Sequence, residues 1–339
     1  MATIKDVARA AGVSVTTVSA TINMSAPVSA ELRARVLAAV EAVGYSPSPI
    51  ARNLRLGQSN LVGLLVPDIS SPYAASVARS LQEALSDEGY PMFFSSTADD
   101  AARELADIDR MADHKVAGLA LLPTCLGEDY ARNLLRHIKC PVVVMDRVIP
   151  GVPFDCVADD NALGARLIVR HLLQLGHRDI AMIAGRTGIS SSDERLAGVR
   201  EALADAGLSL APELTITHHQ SEMLGLRAVQ DLMSRSRRPT AIVTINAAQT
   251  RGAVRALRAM EFDVPKDVSL ISFDSFHFSA GFDPEITSLS QDIGGISRAA
   301  ARMLIERVTW PKNDEIAPPP ARLERFPATL IVRSSCRRV

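Results

Sequence analysis

Several polar side chains that could bind a small molecule come directly after apolar segments typical of buried strands. Four of them are Asp68, Asp146, Asn246 and Asp274, and Arg186 and Ser190 to Ser192 follow similar segments. Their carboxylate, amide, guanidinium and hydroxyl groups can hydrogen-bond the hydroxyl or anionic groups of a ligand. Because open α/β sheets bind ligands beyond the carboxyl ends of their strands, these positions predict a ligand site there.

Motifs of the common enzyme classes are missing from the sequence. No GxGxxG follows the first apolar segment, 61–67, and GxxxxGK(S/T), GxSxG and HExxH do not occur. The cysteines have neither CxxC spacing nor a histidine cluster nearby; they are Cys125, Cys140, Cys156 and Cys336. We therefore expect reduced thiols, no metal, no cofactor and no enzymatic activity.

Short apolar segments alternate with amphipathic helices from residue 61 onward. Examples are LVGLLVP (61–67), PVVVMD (141–146) and VSLISFD (268–274), with helices expected over 193–206 and 250–260. Continuous apolar strands that alternate with helices predict parallel sheets covered on both faces. The pattern restarts near residue 179, so we expect an α/β core of two doubly wound parallel-sheet subdomains.

The first 23 residues carry a different pattern, TIKDVARAAGVSVTTVSATIN from residue 3 onward. Thr3 and Ser14 are suitable N-caps, and Gly12 interrupts the apolar spacing where a turn glycine would lie. The pattern predicts two short helices in a helix-turn-helix, whose second helix enters a DNA major groove. The alternative is an ordinary helical hairpin in a larger bundle.

The segment 45–60, YSPSPIARNLRLGQSN, leaves room only for a short helix over 49–55. Such a helix is too short to be stable alone in water. It is either a plain interdomain linker or a hinge helix that forms when two copies pair on DNA. The favourable helix start and the apolar pair Ile50 and Leu54 favour the hinge, with Leu54 inserted into the minor groove.

The distribution of charge also favours a DNA-facing N-terminus. The net charge is −1 at pH 7, but residues 1–59 hold six basic and three acidic side chains. A basic end on an acidic body is typical of a module that faces phosphate. The sequence contains neither a signal region nor an apolar run of membrane-spanning length, so we expect a cytoplasmic protein without membrane association.

Seven stretches together resemble the LacI/GalR family of lactose/purine repressor-type transcription regulators. They are TIKDVARAAGVSVTTVSATIN (3–23), VGYSPSPIARNLR (43–55), VVVMDR (142–147), DNALGARLIVRHLLQLGHRDIAMIAG (160–185), ERLAGVREALADAGL (194–208), VPKDVSLISFD (264–274) and LIVRSS (330–335). The resemblance covers nearly the whole chain. It implies an all-α DNA-binding headpiece at 1–46, a hinge helix and linker at 47–60, and an effector-binding and dimerisation core at 61–339.

The family's core resembles a periplasmic sugar-binding protein in which the chain crosses three times between subdomains. The resemblance implies one subdomain at about 61–160 and 292–322 and another at about 161–291 and 323–339. It also implies a homodimer that reads a pseudo-palindromic operator, and an effector between the subdomains that controls operator affinity.

The DNA-contacting positions that the resemblance implies are Ser14, Val15, Thr16, Thr17 and Ala20 in the headpiece and Ala51, Leu54 and Arg55 in the hinge. Val15, Thr16 and Ala20 would read bases, and the other two headpiece positions would lie near phosphate or cap the helix. None of these three can make a bidentate base contact. We therefore expect much of the sequence specificity to come from the kink that Leu54 requires.

The effector positions that the resemblance implies are Tyr73, Asp146, Ser191, Arg195, Gln220, Asn246, Asp274 and Gln291. Arg195 and Asp274 could bind vicinal hydroxyls, or Arg195 a carboxylate; the alternative is a structural salt bridge between them. The chain lacks an aromatic side chain at position 74, where family members often carry one, and at position 220, where some members do. With Arg186 and Arg195 nearby, this weakens the case for a neutral hexose, so the expected effector is a sugar, a sugar acid or a sugar phosphate.

The sequence thus predicts a ligand-responsive DNA-binding regulator that represses a carbohydrate or related catabolic operon. The alternative is a solute-binding protein of a transport system that shares the core fold. The basic helical module at the front and the missing signal region disfavour this alternative.

Overall fold

The structure is a computed structural model that describes residues 2–23, 26–45, 59–125, 127–217, 221–274, 284–311 and 317–339. The chain divides into two compact units, Met1–Ser59 and Asn60–Val339. The predicted hinge helix, with Ala51, Leu54 and Arg55, lies outside the described residues, as does Gln220.

In its described part, the first unit contains three helices, α1 (Ile4–Ala11), α2 (Val15–Asn23) and α3 (Ala30–Ala42). The Thr3 backbone N–H and hydroxyl both donate to Asp6 Oδ2, at 2.9 and 2.7 Å, and fix the start of α1. Gly12, with φ of 62°, ends α1 in the left-handed conformation that a glycine adopts without strain. The three helices share a small core, represented by the fully buried Val7, Val18 and Val36.

The second unit contains two six-stranded sheets, each covered by helices on both faces. The first sheet consists of β1 (Val62–Val66), β2 (Met92–Ser96), β3 (Gly118–Leu121), β4 (Val142–Met145), β5 (Asp155–Asp159) and β11 (Leu323–Phe326). Its order is β11-β5-β4-β3-β1-β2 and all its pairings are parallel. We call this sheet, with its helices, the first lobe.

The helices of the first lobe are α4 (Pro72–Asp87), α5 (Ala101–Asp113), α6 (Glu128–His137) and α11 (Ile293–Thr309). One apolar cluster joins α4 and α11 to one face of the sheet, and another joins α5 and α6 to the opposite face.

The second sheet and its helices form the second lobe. Its strands are β6 (Ile180–Ala184), β7 (Thr215–Thr217), β8 (Ala241–Thr244), β9 (Ser269–Ser272), β10 (Thr287–Ser290) and β12 (Thr329–Ile331), in the order β12-β10-β9-β8-β6-β7. Only the pairing of β12 with β10 is antiparallel. Its helices are α7 (Asn161–Gln174), α8 (Ser190–Ala204), α9 (Glu222–Ser234) and α10 (Ala247–Ala259).

The chain crosses between the lobes after β5, after β10 and after β11. The third crossing differs from the expected boundary between residues 322 and 323, because β11 pairs with β5 in the first sheet. Asp155 fixes the start of β11, since its carboxylate accepts hydrogen bonds from the Arg322 N–H at 2.8 Å and from Arg307 Nε at 2.9 Å. The chain therefore enters the second lobe after Phe326.

The backbones of helices α9 and α10 lie in close contact at Gly225 on α9 and Gly252 on α10. A Cβ atom at Gly252 would lie 2.0 Å from the Glu222 carbonyl oxygen, and one at Gly225 would lie 2.5 Å from that of Gln249. Atoms cannot approach so closely, and neither neighbour is the flexible end of a side chain. The two positions therefore require glycine for the helices to pack.

We expect Gly252→Ala to lower the free energy of unfolding by about 2 kcal/mol, because the added methyl group overpacks this contact. Gly294→Ala is the matched control: the three atoms nearest to a Cβ there all belong to the flexible Arg298 side chain, and alanine favours helix. Urea denaturation of both variants measures the effect. Equal stability of the two variants would contradict the assigned contact.

Candidate functional site

A cleft of about 340 Å³ lies between the lobes at the carboxyl ends of the strands of both sheets. Seven of the eight implied effector positions line it, namely Tyr73, Asp146, Ser191, Arg195, Asn246, Asp274 and Gln291. They come from six different loops or helix starts. The fold thus brings together side chains that are more than 200 residues apart in the sequence.

Arg195 is the most constrained of these side chains and is only 7% exposed. Its Nε donates to Asn161 Oδ1 at 2.7 Å, and its Nη1 donates to the Ile245 carbonyl oxygen at 2.6 Å. The guanidinium also lies over the Phe273 ring, 5.3 Å from its centroid. Among the described residues Nη2 has no hydrogen-bond partner, so the outer edge of the guanidinium can bind a ligand.

Asp274 pairs with Arg195 only loosely. Its Oδ1 lies 3.4 Å from Arg195 Nη1, and its Oδ2 accepts from the Ala247 N–H at 3.4 Å. Burial raises the pKa of Asp274, and Arg195 opposes that shift. Because both contacts are long, the carboxylate can also accept hydrogen bonds from a ligand. The salt bridge and a ligand contact are therefore compatible.

Asp146 lies in the cleft wall with an unusual backbone conformation. Its φ is 68°, in the left-handed region that aspartate tolerates better than most side chains. Its Oδ2 lies 3.4 Å from Arg147 Nε, and Arg147 Nη1 donates to the Pro123 carbonyl oxygen at 2.5 Å. This backbone conformation sets the direction in which the Asp146 side chain leaves the main chain directly after β4.

Two helices begin earlier than the sequence indicates, and this places side chains in the cleft. Helix α8 begins at Ser190 rather than near 193, so Ser191 lies in its first turn. Helix α10 begins at Ala247 rather than near 250, and Asn246 is its N-cap. The Asn246 Oδ1 accepts from the Gln249 N–H at 2.8 Å, so this oxygen also holds the helix start.

Asp159, at the end of β5, is a functional candidate that the sequence analysis missed. It is 3% exposed, burial raises its pKa to about 7, and its Oδ2 accepts from Gln291 Nε2 at 3.1 Å. Among the described residues Asp159 Oδ1 and the Tyr73 hydroxyl are both buried without a hydrogen-bond partner. The end-of-strand pattern that identified Asp146 could have identified Asp159.

Among the described residues, the basic and acidic side chains that line the cleft are equal in number. The basic side chains are Arg147, Arg186, Arg195 and Arg251, and the acidic ones are Asp68, Asp99, Asp146 and Asp274. Arg147 and Arg251 were not among the expected positions. Arg251 lies within α10 and pairs with Glu222 at 3.1 Å, and no sequence signal identifies it.

The headpiece positions that the resemblance implies as DNA contacts lie on α2, except Ser14, which directly precedes it. Ser14, Val15 and Thr16 are exposed, and Thr17 and Ala20 are half-buried. The Ser14 Oγ accepts from the Thr17 N–H at 3.1 Å, and the two hydroxyls are 2.8 Å apart. Ser14 therefore caps α2, and the exposed first turn of α2 is available to another surface.

Two protein-family models match the chain. One, described as "Bacterial regulatory proteins, lacI family", matches residues 3–48, and the other, "Periplasmic binding protein-like domain", matches residues 169–336. The repressor PurR of Haemophilus influenzae (strain PittEE) is 31% identical over 339 residues, 100% of both chains. The ribose operon repressor of Escherichia coli (strain K12) is 32% identical over 311 residues, 92% of this chain and 94% of that protein.

Solved structures share the fold. The Lac repressor dimer bound to operator and the anti-inducer ONPF matches with a TM-score of 0.88 at 23% identity, over 99% of both chains. The transcriptional regulator CelR in complex with cellobiose matches with a TM-score of 0.73 at 28% identity, over 99% of this chain and 100% of that one. Within the described residues no helix is long and apolar enough to span a membrane, and no cluster of side chains could hold a metal.

We expect Asp159→Asn to change how stability depends on pH. Because the folded Asp159 has a pKa of about 7 against 3.8 for the free side chain, the folded state binds a proton between these values that the unfolded state releases. This contribution to stability is present at low pH and is lost as pH rises through 7. Between pH 5 and pH 8 the free energy of unfolding of the variant should therefore rise by about 1 kcal/mol or more relative to that of the native protein.

Asp155→Asn is the matched control for this measurement. Burial alone would raise the pKa of Asp155, but hydrogen bonds from Arg307 and Arg322 lower it to about 2. The stabilisation that follows from this low pKa is lost only in acid. The difference in free energy of unfolding between this variant and the native protein should therefore stay constant from pH 5 to pH 8. Urea denaturation at both pH values measures both variants, and a constant difference for Asp159→Asn would contradict the assigned shift.

Proposed function

This chain belongs to the LacI family of bacterial transcriptional regulators, and from that premise we propose that it represses a carbohydrate or related catabolic operon. It is a ligand-responsive DNA-binding repressor and not an enzyme. The observation that supports ligand control is the convergence of seven implied effector positions on one cleft between the lobes. A ligand that binds both lobes favours one arrangement of them over the other, and so can change operator affinity.

We propose that each subunit of a homodimer reads one half of the operator with two elements. In the first, Val15, Thr16 and Ala20 contact base edges while Ser14 and Thr17 lie near phosphate. In the second, Leu54 enters the minor groove, with Ala51 and Arg55 beside it. Since α2 has no basic residue in its last turn and its outer face offers few hydrogen bonds, the DNA kink would supply much of the specificity.

We propose further that the effector is anionic, such as a sugar acid or sugar phosphate. Arg195, whose Nη2 has no hydrogen-bond partner among the described residues, and Arg186 both line the cleft. Helix α8 starts beside them, and the partial positive charge of its first backbone N–H groups favours an anion, although Asp193 in the same turn offsets part of it. Asp146 and Asp274 would accept hydrogen bonds from the ligand's hydroxyl groups, so the site suits a molecule that carries both.

The regulator function is tested by selecting operator sequences from random DNA and measuring their binding in a gel shift. We expect Leu54→Ala to weaken binding about tenfold or more, because the side chain that stabilises the kink is lost. Gln58→Ala, in the same segment, is the control and should bind normally. Unaltered affinity of Leu54→Ala would refute the hinge assignment, and failure to select any sequence with the folded protein would refute the DNA-binding function.

The effector class is tested by calorimetric titration with two sets of probes. One set contains gluconate, glucose 6-phosphate and ribose 5-phosphate, and the other contains glucose, ribose and cellobiose. We expect binding from the first set and a response of the DNA complex to the same compound. Binding restricted to the neutral set would refute the anionic effector.

Asp274 has a separate test with the compound that binds. Asp274→Ala should abolish the response to it and leave DNA binding without ligand unchanged, because the contacts of Asp274 with Arg195 and the Ala247 N–H are long and its main loss is a cleft acceptor. Circular dichroism checks the fold of the variant. Loss of folding would favour the purely structural salt bridge with Arg195.

A further inference from the structure

Among the residues that the structure describes, two hydrogen bonds join the lobes at the cleft, away from the three crossings. Arg186, after β6 of the second lobe, donates from Nη2 to the Thr124 carbonyl oxygen of the first lobe at 2.9 Å. The Val148 N–H of the first lobe donates to Ser190 Oγ of the second lobe at 2.8 Å. Either bond breaks if the lobes separate, so together they favour the arrangement seen in the structure.

Both bonds depend on one turn of the first lobe, residues 123–124. The Thr124 carbonyl oxygen accepts from Arg186, and the Pro123 carbonyl oxygen accepts from Arg147, which precedes Val148. A shift of this turn would therefore displace both the acceptor of Arg186 and the segment that donates to Ser190.

The buried carboxylate of Glu104 holds this turn through a hydrogen bond. The Thr124 N–H donates to Glu104 Oε2 at 2.9 Å, and the Tyr130 hydroxyl donates to Oε1 of the same side chain. Glu104 lies on α5, is fully buried, and does not line the cleft. Burial raises its pKa to about 7, and the hydrogen bonds from Tyr130 and Thr124 oppose that shift. A carboxylate so costly to bury is a poor choice for filling a core, because an apolar side chain would do so without the cost.

We propose that Glu104 is a positioning residue for the effector cleft: through the turn at 123–124 it holds Arg186 in the cleft wall and keeps the lobes joined. Its importance for effector binding rests on the function proposed above. Its role in holding the lobes together does not rest on that function, because the effect of Glu104 on the contact between the lobes can be measured without effector or DNA.

The alternative is a local role, in which Glu104 only accepts the hydrogen bond from the buried Thr124 N–H. The two roles differ at Val148. Glu104 makes no hydrogen bond to Val148 or Ser190, so a local role predicts no change there when Glu104 is replaced.

Hydrogen exchange of the full-length protein, measured by mass spectrometry without ligand, distinguishes the roles. We expect Arg186→Ala and Ser190→Ala to speed exchange of the Val148 amide about tenfold, because each removes a bond between the lobes. Glu104→Ala should speed exchange of both Thr124 and Val148. Glu104→Gln should restore slow exchange at both, because the amide oxygen can accept from Thr124 while its nitrogen donates to the Tyr130 hydroxyl.

Asp107→Ala is the matched control. Asp107 is a second buried carboxylate on α5, and it binds Ser95 and Arg110 instead of the turn. Its replacement should leave Val148 exchange as in the native protein. Fast exchange at Thr124 with native exchange at Val148 in Glu104→Ala would overturn the proposal, as would native exchange at Val148 in both Arg186→Ala and Ser190→Ala. Neither result would affect the proposed regulator function.

Discussion

The burial of the Arg195 guanidinium is the constraint on which the cleft depends. Burial opposes its charge, but the carboxylates of Asp274, Asp146 and Asp159 offset that cost and raise its pKa. Its hydrogen bonds go to the ends of β8 and β9 and to Asn161 at the start of α7, so one side chain fixes three elements of the second lobe. A guanidinium held in this way can bind a ligand without first being ordered, and this lowers the entropic cost of binding.

Polar contacts also join the two lobes near the crossings. Arg325, on β11, makes a two-point hydrogen bond with Glu194 of α8, at 2.9 and 2.7 Å, and also donates to the Asp159 carbonyl oxygen. Asn161 donates to Glu194 and accepts from Arg195. The buried arginine is therefore linked through Asn161 and Glu194 to a first-lobe strand, and a change at the ligand site can reach the crossings through three side chains.

Parts of this site follow from the sequence and parts do not. Asp146, Asn246 and Asp274 could be predicted because a polar side chain after a continuous apolar strand lies at the ligand edge of a parallel sheet. The position of β11 could not, because this four-residue strand has no fully buried residue and lacks the continuous apolar run of the other strands, and only the pairing with β5 defines it. Glu104 could not either: on an amphipathic helix a glutamate is normally taken as exposed, and its burial depends on Tyr130 and Thr124, more than 15 residues away.

The late third crossing has a practical consequence for building an optical biosensor. Leu323 is exposed on the first lobe, and Arg338, only a short stretch further along the chain, is exposed on the second. The Val339 N–H donates to the Leu175 carbonyl oxygen at 2.9 Å, so this last stretch moves with the second lobe. A donor and acceptor dye at these two surface positions would report opening of the cleft, and neither dye would occupy the ligand site or the DNA-binding headpiece.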